Sequence, residues 1–387
     1  MSAHASPNII TDGLVFLYDT DDGKSYKGEP TTNLITSNGI DFSTFSSYNT
    51  LIRSRVSDSN SPSGYACEME YPDGGVNTAS RIRFGDSTNI PTSGNAFVSI
   101  MAKFQGGPSS NITPRVYSGS SWQTLAPLDG GSAYLTSEYR RFGVYAYLGT
   151  GSGGPLPAFS MTQNNSNNQV GQKTRWHSPQ VELKTHATPF VDGTRSATQG
   201  LIDRTGNSTI DLSPASYDSN AQITFDGTDD YITAGNPTEL QFIYSDPFSL
   251  EVWIKADDLS GFNHVIGKTY GNYRLSVTSS GYSFRLDSNN LTTNAGTPVV
   301  GEWQHVVATW EPSTSTARVY VNGVLEQSVT DATVDWTYTS ANFQLGNSPG
   351  ENYHFNGTIP AARVYSKTVT SAEVLQSYNA TKDRFIR

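Results

Sequence analysis

One pattern limits what this chain can fold into: apolar and polar residues alternate with a period of two, in runs bounded by Gly, Asn, Asp and Pro, from end to end. Side chains on an extended strand point to opposite faces in turn, so such a run buries one face as a strand and scatters its apolar residues as a helix. FSLEVWIKAD puts Phe248, Leu250, Val252 and Ile254 on one face and Ser249, Glu251, Trp253 and Lys255 on the other. EWQHVVATW is apolar on both faces, which predicts a strand covered on each side, with His305 packed inside. ARVYVNGVLEQS carries Asn322-Gly323 between two β-branched runs, the signature of a tight hairpin whose two central residues need positive φ. TSAEVLQSYNA breaks the pattern. There Thr370 and Glu373 have capping-box spacing, and Val374, Leu375 and Tyr378 form an apolar stripe, predicting a helix that docks on a sheet. The expected fold class is therefore all-β: two β-sandwich (jelly-roll) domains and one late C-terminal helix.

The first half is looser. VSIMAKF, SAYLTSEYRRFGVYAYL and HSPQVELKT read as strands, with GSGGPLP and QNNSNNQ as loops between them. Charged residues are only 16% of the chain, which suits solvated sheet faces and turns better than helix surfaces. A net charge of -10 excludes partners that demand basic patches, so neither nucleic acid nor an anionic membrane is expected. A lone cysteine, Cys67, cannot form an internal disulfide and reads as a small packed side chain. The stretch MSAHASPNII lacks the basic and apolar segments of a secretory signal, and no apolar run approaches the roughly 20 residues of a membrane span. Synthesis and folding in a cytoplasm are expected. Heptads, collagen-like triplets and exact repeats are absent, so the sequence shows no trimeric shaft.

From about residue 221 onward ITFDGTDDYI, FSLEVWIKA, GEWQHVVATW, ARVYVNGVL, FQLGN and FNGTIPAARVYSKTVTSAEVLQSYNATKDRF occur in an order that resembles the laminin-G-like, concanavalin A-like lectin/glucanase superfamily. The closing EVLQSYNATKDRF looks most like versions found in structural proteins of tailed bacteriophages, marine and cyanobacterial ones included. In that family the domain usually opens with a GLV-type strand ending in Asp and a Lys-Ser-Tyr turn, which GLVFLYDTDDGKSY supplies near the start of this chain. The resemblance thus implies that residues 1–31 open the C-terminal sandwich, 32–198 are a domain inserted into it, and 199–387 complete it; a free N-terminal strand belonging to the first domain is the rival reading. The inserted segment begins TTNLI and ends WHSPQVELKTHATPFVDGTRS, ends that resemble carbohydrate-binding-module-like jelly rolls.

Relatives of this fold include glycoside hydrolases, which need two carboxylates flanking the bond to be cut. The Glu-x-Asp-x-(x)-Glu run that retaining members carry is missing, and Asp19-Thr20-Asp21-Asp22 and Asp229-Asp230 sit in predicted turns, where Asp serves the backbone. Some relatives bind Ca²⁺ through loop carboxylates and carbonyls; Asp226, Asp229 and Asp230 are the candidates here, but Pro360 stands where the family often has an acid after Phe355-Asn356-Gly357-Thr358-Ile359. No cofactor is expected. His4, His177, His186, His264, His305 and His354 show neither HxH nor HExxH spacing, and no phosphate-binding loop occurs. The expectation is a protein that is not an enzyme.

What remains is binding. A pyranose presents an apolar face to aromatic rings and hydroxyls to amides and carboxylates. Aromatic candidates in predicted loops are Tyr270 and Tyr273, Trp336 and Tyr338, Tyr353 with His354, and Trp122 in the inserted segment; the plainer reading of each is a ring packed over a sandwich end, and the same rings also suit a face against a neighbouring subunit. The expected function is a non-enzymatic virion protein of a tailed phage, a surface decoration or compact appendage held by other virion proteins as a homo-oligomer, with glycan binding as a second role. The alternative is a receptor-binding tail fibre or adhesin that recognises host surface polysaccharide.

Overall fold

The computed structural model describes residues 8–386 apart from 37–39, 44, 49–51, 71–80, 85–89, 92, 108–111, 118–120, 150–157, 164–170, 220–221, 270, 288 and 291–294. The chain forms two compact units, one made of Met1–Pro30 with Ser196–Arg387, the other of Thr31–Arg195. Both are built from antiparallel sheets, and the protein is mostly β with β-sandwich architecture.

In the larger unit, an eight-stranded sheet runs Ser216–Tyr217, Ile223–Asp226, Asn356–Tyr365, Phe248–Asp258, Trp303–Glu311, Thr316–Val321 and Val324–Thr330. Its eighth strand, Leu14–Asp19, pairs with Asn356–Tyr365 from Tyr365 back to Ala361, while Ile223–Asp226 takes Gly357 and Asn356. A six-stranded sheet faces it, in the order Ile232–Gly235, Phe343–Leu345, Asn263–Gly267, Asn272–Thr278, Gly281–Asp287 and Asn289–Asn290. The alternation read in FSLEVWIKAD holds: Phe248, Leu250, Val252 and Ile254 enter the core with Leu275, Val277 and Phe284. Each such side chain contributes about 1.5–3 kcal/mol on burial. Asn322 and Gly323 have φ of 51° and 82°, as a hairpin turn of their type requires.

The other face of the large sheet is covered too, by the closing helix Ser371–Phe385, whose capping box joins Thr370 and Glu373. The buried stripe differs from the expected one. Val374, Ser377 and Thr381 face the sheet, whereas Leu375 is 47% exposed. Thr381 sits inward because its hydroxyl accepts the Trp253 indole N–H at 2.8 Å, so a hydrogen bond takes the place of apolar contact. Arg384, near the helix end, grips Asp19 with two hydrogen bonds of 2.6 and 2.9 Å, and burial's upward pull on that carboxyl is outweighed, leaving its pKa below the ordinary value.

The smaller unit has a six-stranded sheet ordered Ala126–Pro127, Arg140–Leu148, Gly94–Gly106, Lys173–Glu182, Tyr65–Glu70 and Ile52–Ser57, and a five-stranded one ordered Phe45–Tyr48, Arg81–Phe84, Ala158–Gln163, Ile112–Tyr117 and Trp122–Thr124. Val98, Ile100, Phe142, Phe159 and Trp176 fill the core between them. Cys67 is fully buried there, its thiol pushed up to about 12 by burial. The stretch SAYLTSEY is not strand: the strand starts only at Arg140. Before it, Ser132 and Thr136 spend their hydroxyls on local backbone groups, which favours turns over a ladder. GSGGPLP and all of QNNSNNQ but Gln163 lie outside the described residues. Asn33 explains why the two ends of this unit carry such marked sequences. Its amide donates to the carbonyls of Pro179 and Val191, and its carbonyl accepts from Ile35 and Val181, tying TTNLI to VELKTHATPFV. Next to it Thr31–Thr32 pairs with Thr194–Arg195.

Candidate functional site

Three loops at one end of the larger unit's sandwich enclose a cleft of about 410 Å³. The first is the turn after Ile223–Asp226. Here Asp226 accepts the Thr228 N–H at 2.7 Å and Gly227 takes a φ of 80° beneath the Asn356 side chain. The second joins Phe248–Asp258 to Asn263–Gly267: Asp258 accepts the Ser260 N–H at 2.8 Å, Gly261 turns the chain at φ 77°, and Phe262 is left facing the cleft. The third carries Asn352, Tyr353 and His354; it is anchored where the His264 N–H donates to the Tyr353 carbonyl at 3.0 Å and the Phe355 N–H to that of Gly346 at 2.8 Å.

Phe262 and Tyr353 meet edge to face with ring centroids 5.0 Å apart. Behind them lies Arg274, 1% exposed, its guanidinium carbon 5.1 Å from the Phe262 centroid and 5.3 Å from that of Tyr353. That arginine is ion-paired with Glu351 and donates to the Ser348 hydroxyl at 3.2 Å. A cation over two ring faces and fixed by a carboxylate holds the rings in one geometry. Buried His264, pressed by burial and then by Arg274, is held down at about 3 and is neutral at physiological pH. Thr228, Ser260, Asn263, Asn352 and His354 add donors and acceptors around the aromatic corner. The His354 Nδ1 is buried without a hydrogen-bond partner among the described residues.

The expected site residues scatter. Tyr353 and His354 line the cleft, half-buried. Tyr338 is 61% exposed and does not line it. Tyr273 and Trp336 are corrections: they are 0% and 2% exposed, part of the core, and closed to any ligand. Tyr273 sits inward because its strand's alternation turns it there, its hydroxyl donating to the Leu240 carbonyl at 2.6 Å; the Trp336 indole N–H donates to the Phe242 carbonyl at 3.0 Å. Trp122, in the smaller unit, lies on a strand instead of a loop, half-buried against Tyr117 at 5.4 Å. Tyr270 falls outside the described residues. The sequence reading passed over Phe262 and Arg274. Phe262 had a signal, an aromatic just after Ser260-Gly261; Arg274 had a subtler one, a charge inside the apolar run NYRLSV.

Asp226, Asp229 and Asp230 do converge, with carboxylate oxygens within 4.8 Å of one another. Burial, and then the Asp226 and Asp229 charges, raise the Asp230 pKa. Two of their oxygens already serve the turn, Asp226 Oδ1 toward the Thr228 N–H and Asp230 Oδ2 toward the Asp226 N–H. What is left falls short of the roughly 6–8 oxygens that calcium takes, and we assign no cation to it.

Residues 226–375 match the family model described as the Concanavalin A-like lectin/glucanases superfamily. No curated protein matches the chain. Among solved structures, the binding domain of Paraclostridial Mosquitocidal Protein 1 is 13% identical, with a TM-score of 0.39 over 46% of this chain and 49% of that one. Domain 4 of AbnA, a GH43 extracellular arabinanase from Geobacillus stearothermophilus in complex with arabinotriose, is 20% identical, with a TM-score of 0.37 over 47% and 93%. The CBM40 of Ruminococcus gnavus IT-sialidase, bound to alpha2,3 sialyllactose, is 16% identical, with a TM-score of 0.31 over 34% and 81%. The chain spans about half the length of the mosquitocidal binding-domain structure that it matches.

Proposed function

We propose that this chain is a non-catalytic glycan-binding protein whose larger unit holds saccharide in the Phe262–Tyr353 cleft. The observation that carries the reading is the aromatic corner fixed by buried Arg274 and ringed by hydroxyl and amide groups. Rings offer a surface to the apolar face of a sugar, and the surrounding groups answer its hydroxyls. The superfamily match over residues 226–375 supports the same reading. Thr228, Ser260, Asn263, Asn352, Tyr353 and His354 bring no carboxylate into the cleft, and hydrolysis of a glycosidic bond calls for two.

The test is calorimetric titration of the full chain against a panel of bacterial surface polysaccharides and their oligosaccharides, paired with an assay for new reducing ends. Tyr353→Ala is expected to weaken binding about tenfold, the loss of roughly 1.4 kcal/mol, while reducing ends stay constant. Release of reducing ends by the wild-type chain would make it an enzyme and overturn the reading.

The likeness of EVLQSYNATKDRF to the closing segments of tailed-phage structural proteins supports a seat on a phage particle, as decoration, compact appendage or tail adhesin. Gold-tagged antibody against the chain, imaged on intact particles, distinguishes these: label over the head means decoration, label confined to the tail means host recognition, and unlabelled particles refute the placement.

A further inference from the structure

The helix that covers the outer face of the large sheet stops short of one corner. Its last residue, Phe385, stacks on buried Trp253 at 4.4 Å and meets half-buried Trp303 at 5.0 Å. Beyond that ring the sheet surface opens into a groove of about 580 Å³. Register shows what forms its floor. Trp303 pairs with Lys255, Lys255 with Thr358, and the next strand brings Thr224 level with Thr358, one step past the Phe225–Gly357 pair. These four residues therefore form a row across four neighbouring strands, three steps of ~4.8 Å or roughly 14 Å in all. Trp303 and Phe385 make an aromatic wall at one end, with the Lys255 ammonium 5.2 Å from the Trp303 centroid. Asp218, Gln222 and Asp257 edge the rest.

We infer that this groove is a second saccharide site, distinct from the loop cleft, that takes a short uncharged oligosaccharide lying across the strands. The inference shares with the proposed function only the class of ligand. One sugar ring rests on the face of Trp303, and the following units lie over Thr358 and Thr224, whose hydroxyls both donate and accept. Lys255 donates to ring or hydroxyl oxygens, and Asp218 and Asp257 accept from hydroxyls. Arg384 is already committed to Asp19 and Asp21, so it adds no free positive charge to the groove. The lining carries three carboxylates, Asp21, Asp218 and Asp257, against two cations, Lys255 and Arg384, and that acidic balance disfavours uronic or sialic acids there.

Full-length protein is titrated with maltotriose, cellotriose, tri-N-acetylchitotriose and, as the anionic probe, sialyllactose, following heat and tryptophan fluorescence. The variants are Trp303→Ala, Thr358→Arg and Tyr353→Ala, each checked for a native melting transition. Saturable binding of a neutral probe that survives Tyr353→Ala, falls about tenfold in Trp303→Ala and vanishes in Thr358→Arg is the expected result. Thr358→Arg fills the groove from its half-buried floor without touching the sandwich core, so the test stands even if Trp303→Ala fails to fold. Binding abolished by Tyr353→Ala and untouched by both groove substitutions refutes the groove and leaves the cleft standing. Saturation by sialyllactose alone, blocked by Thr358→Arg, overturns the assignment to uncharged sugars, and failure of every probe overturns the inference outright.

Discussion

Glu251 is the residue that best shows how charge is managed in this protein. It lies 2% exposed between sheet and helix, accepting from Tyr365 at 2.8 Å, facing the His305 Nε2 at 3.1 Å and ion-paired with Arg363. Burial alone would raise its pKa, but Arg363, His305 and Tyr365 outweigh it and hold the carboxyl at about 2. A carboxyl lowered in the folded state favours folding above its unfolded value, here 4.5, and that contribution is lost as pH falls from there toward 2. Urea unfolding of Glu251→Gln is therefore expected to show a loss of about 3–5 kcal/mol at pH 7, because Arg363 keeps its charge without its partner. The gap to wild type should narrow between pH 4.5 and pH 3; a constant gap would mean that Glu251 does not stay ionised in the fold. The sequence placed Glu251 on the polar face of its strand. It could not show that a helix more than a hundred residues later would close over that face, because a two-residue period reports alternation and says nothing of what lies above it.

At the scale of elements, local chemistry was legible and long-range covering was not. The Asn322-Gly323 hairpin and the Thr370–Glu373 cap are where the residues put them, because each is decided within a few positions by dihedral and hydrogen-bond demands. Tyr273 lies on a strand, and Trp336 lies in a loop as expected but with its ring buried, because nearby Gly, Asn and Thr mark turns without saying whether a ring swings inward. Gly346 shows how tightly the cleft loops depend on packing behind them. It has a φ of 84°, and a Cβ there would overlap the Phe225 ring. Gly346→Ala is expected to cost about 2 kcal/mol or more, from the left-handed backbone and the clash together, read as a lower denaturation midpoint. Weakened glycan binding should accompany it, since the Gly346 carbonyl anchors Phe355 beside Tyr353 and His354. A variant of wild-type stability would show that the Phe225 ring moves aside freely.

For the whole molecule, the all-β class and the sandwich cores were legible because the long strands show either alternation, as in Phe248–Asp258, or a short apolar run covered on both faces, as in Trp303–Glu311, while the groove beside Trp303 was not, since it exists only where four strands and a helix end meet. The Thr31–Arg195 unit has its own core, and its first and last strands pair with each other. Expressed alone, residues 31–195 are expected to unfold in one cooperative calorimetric transition; a featureless thermogram would show that the unit borrows stability from the rest. The larger unit is ordered differently in time. Leu14–Asp19 pairs with Asn356–Tyr365, more than three hundred residues further along the chain, so on the ribosome it waits for that partner long after it is made, with the Arg204 N–H donating to the Leu17 carbonyl at 2.8 Å on its other side once that segment follows. Among the described residues the intervening unit has its strand partners within itself and is free to fold during that wait, leaving the older strand with an edge to be shielded until Asn356–Tyr365 arrives.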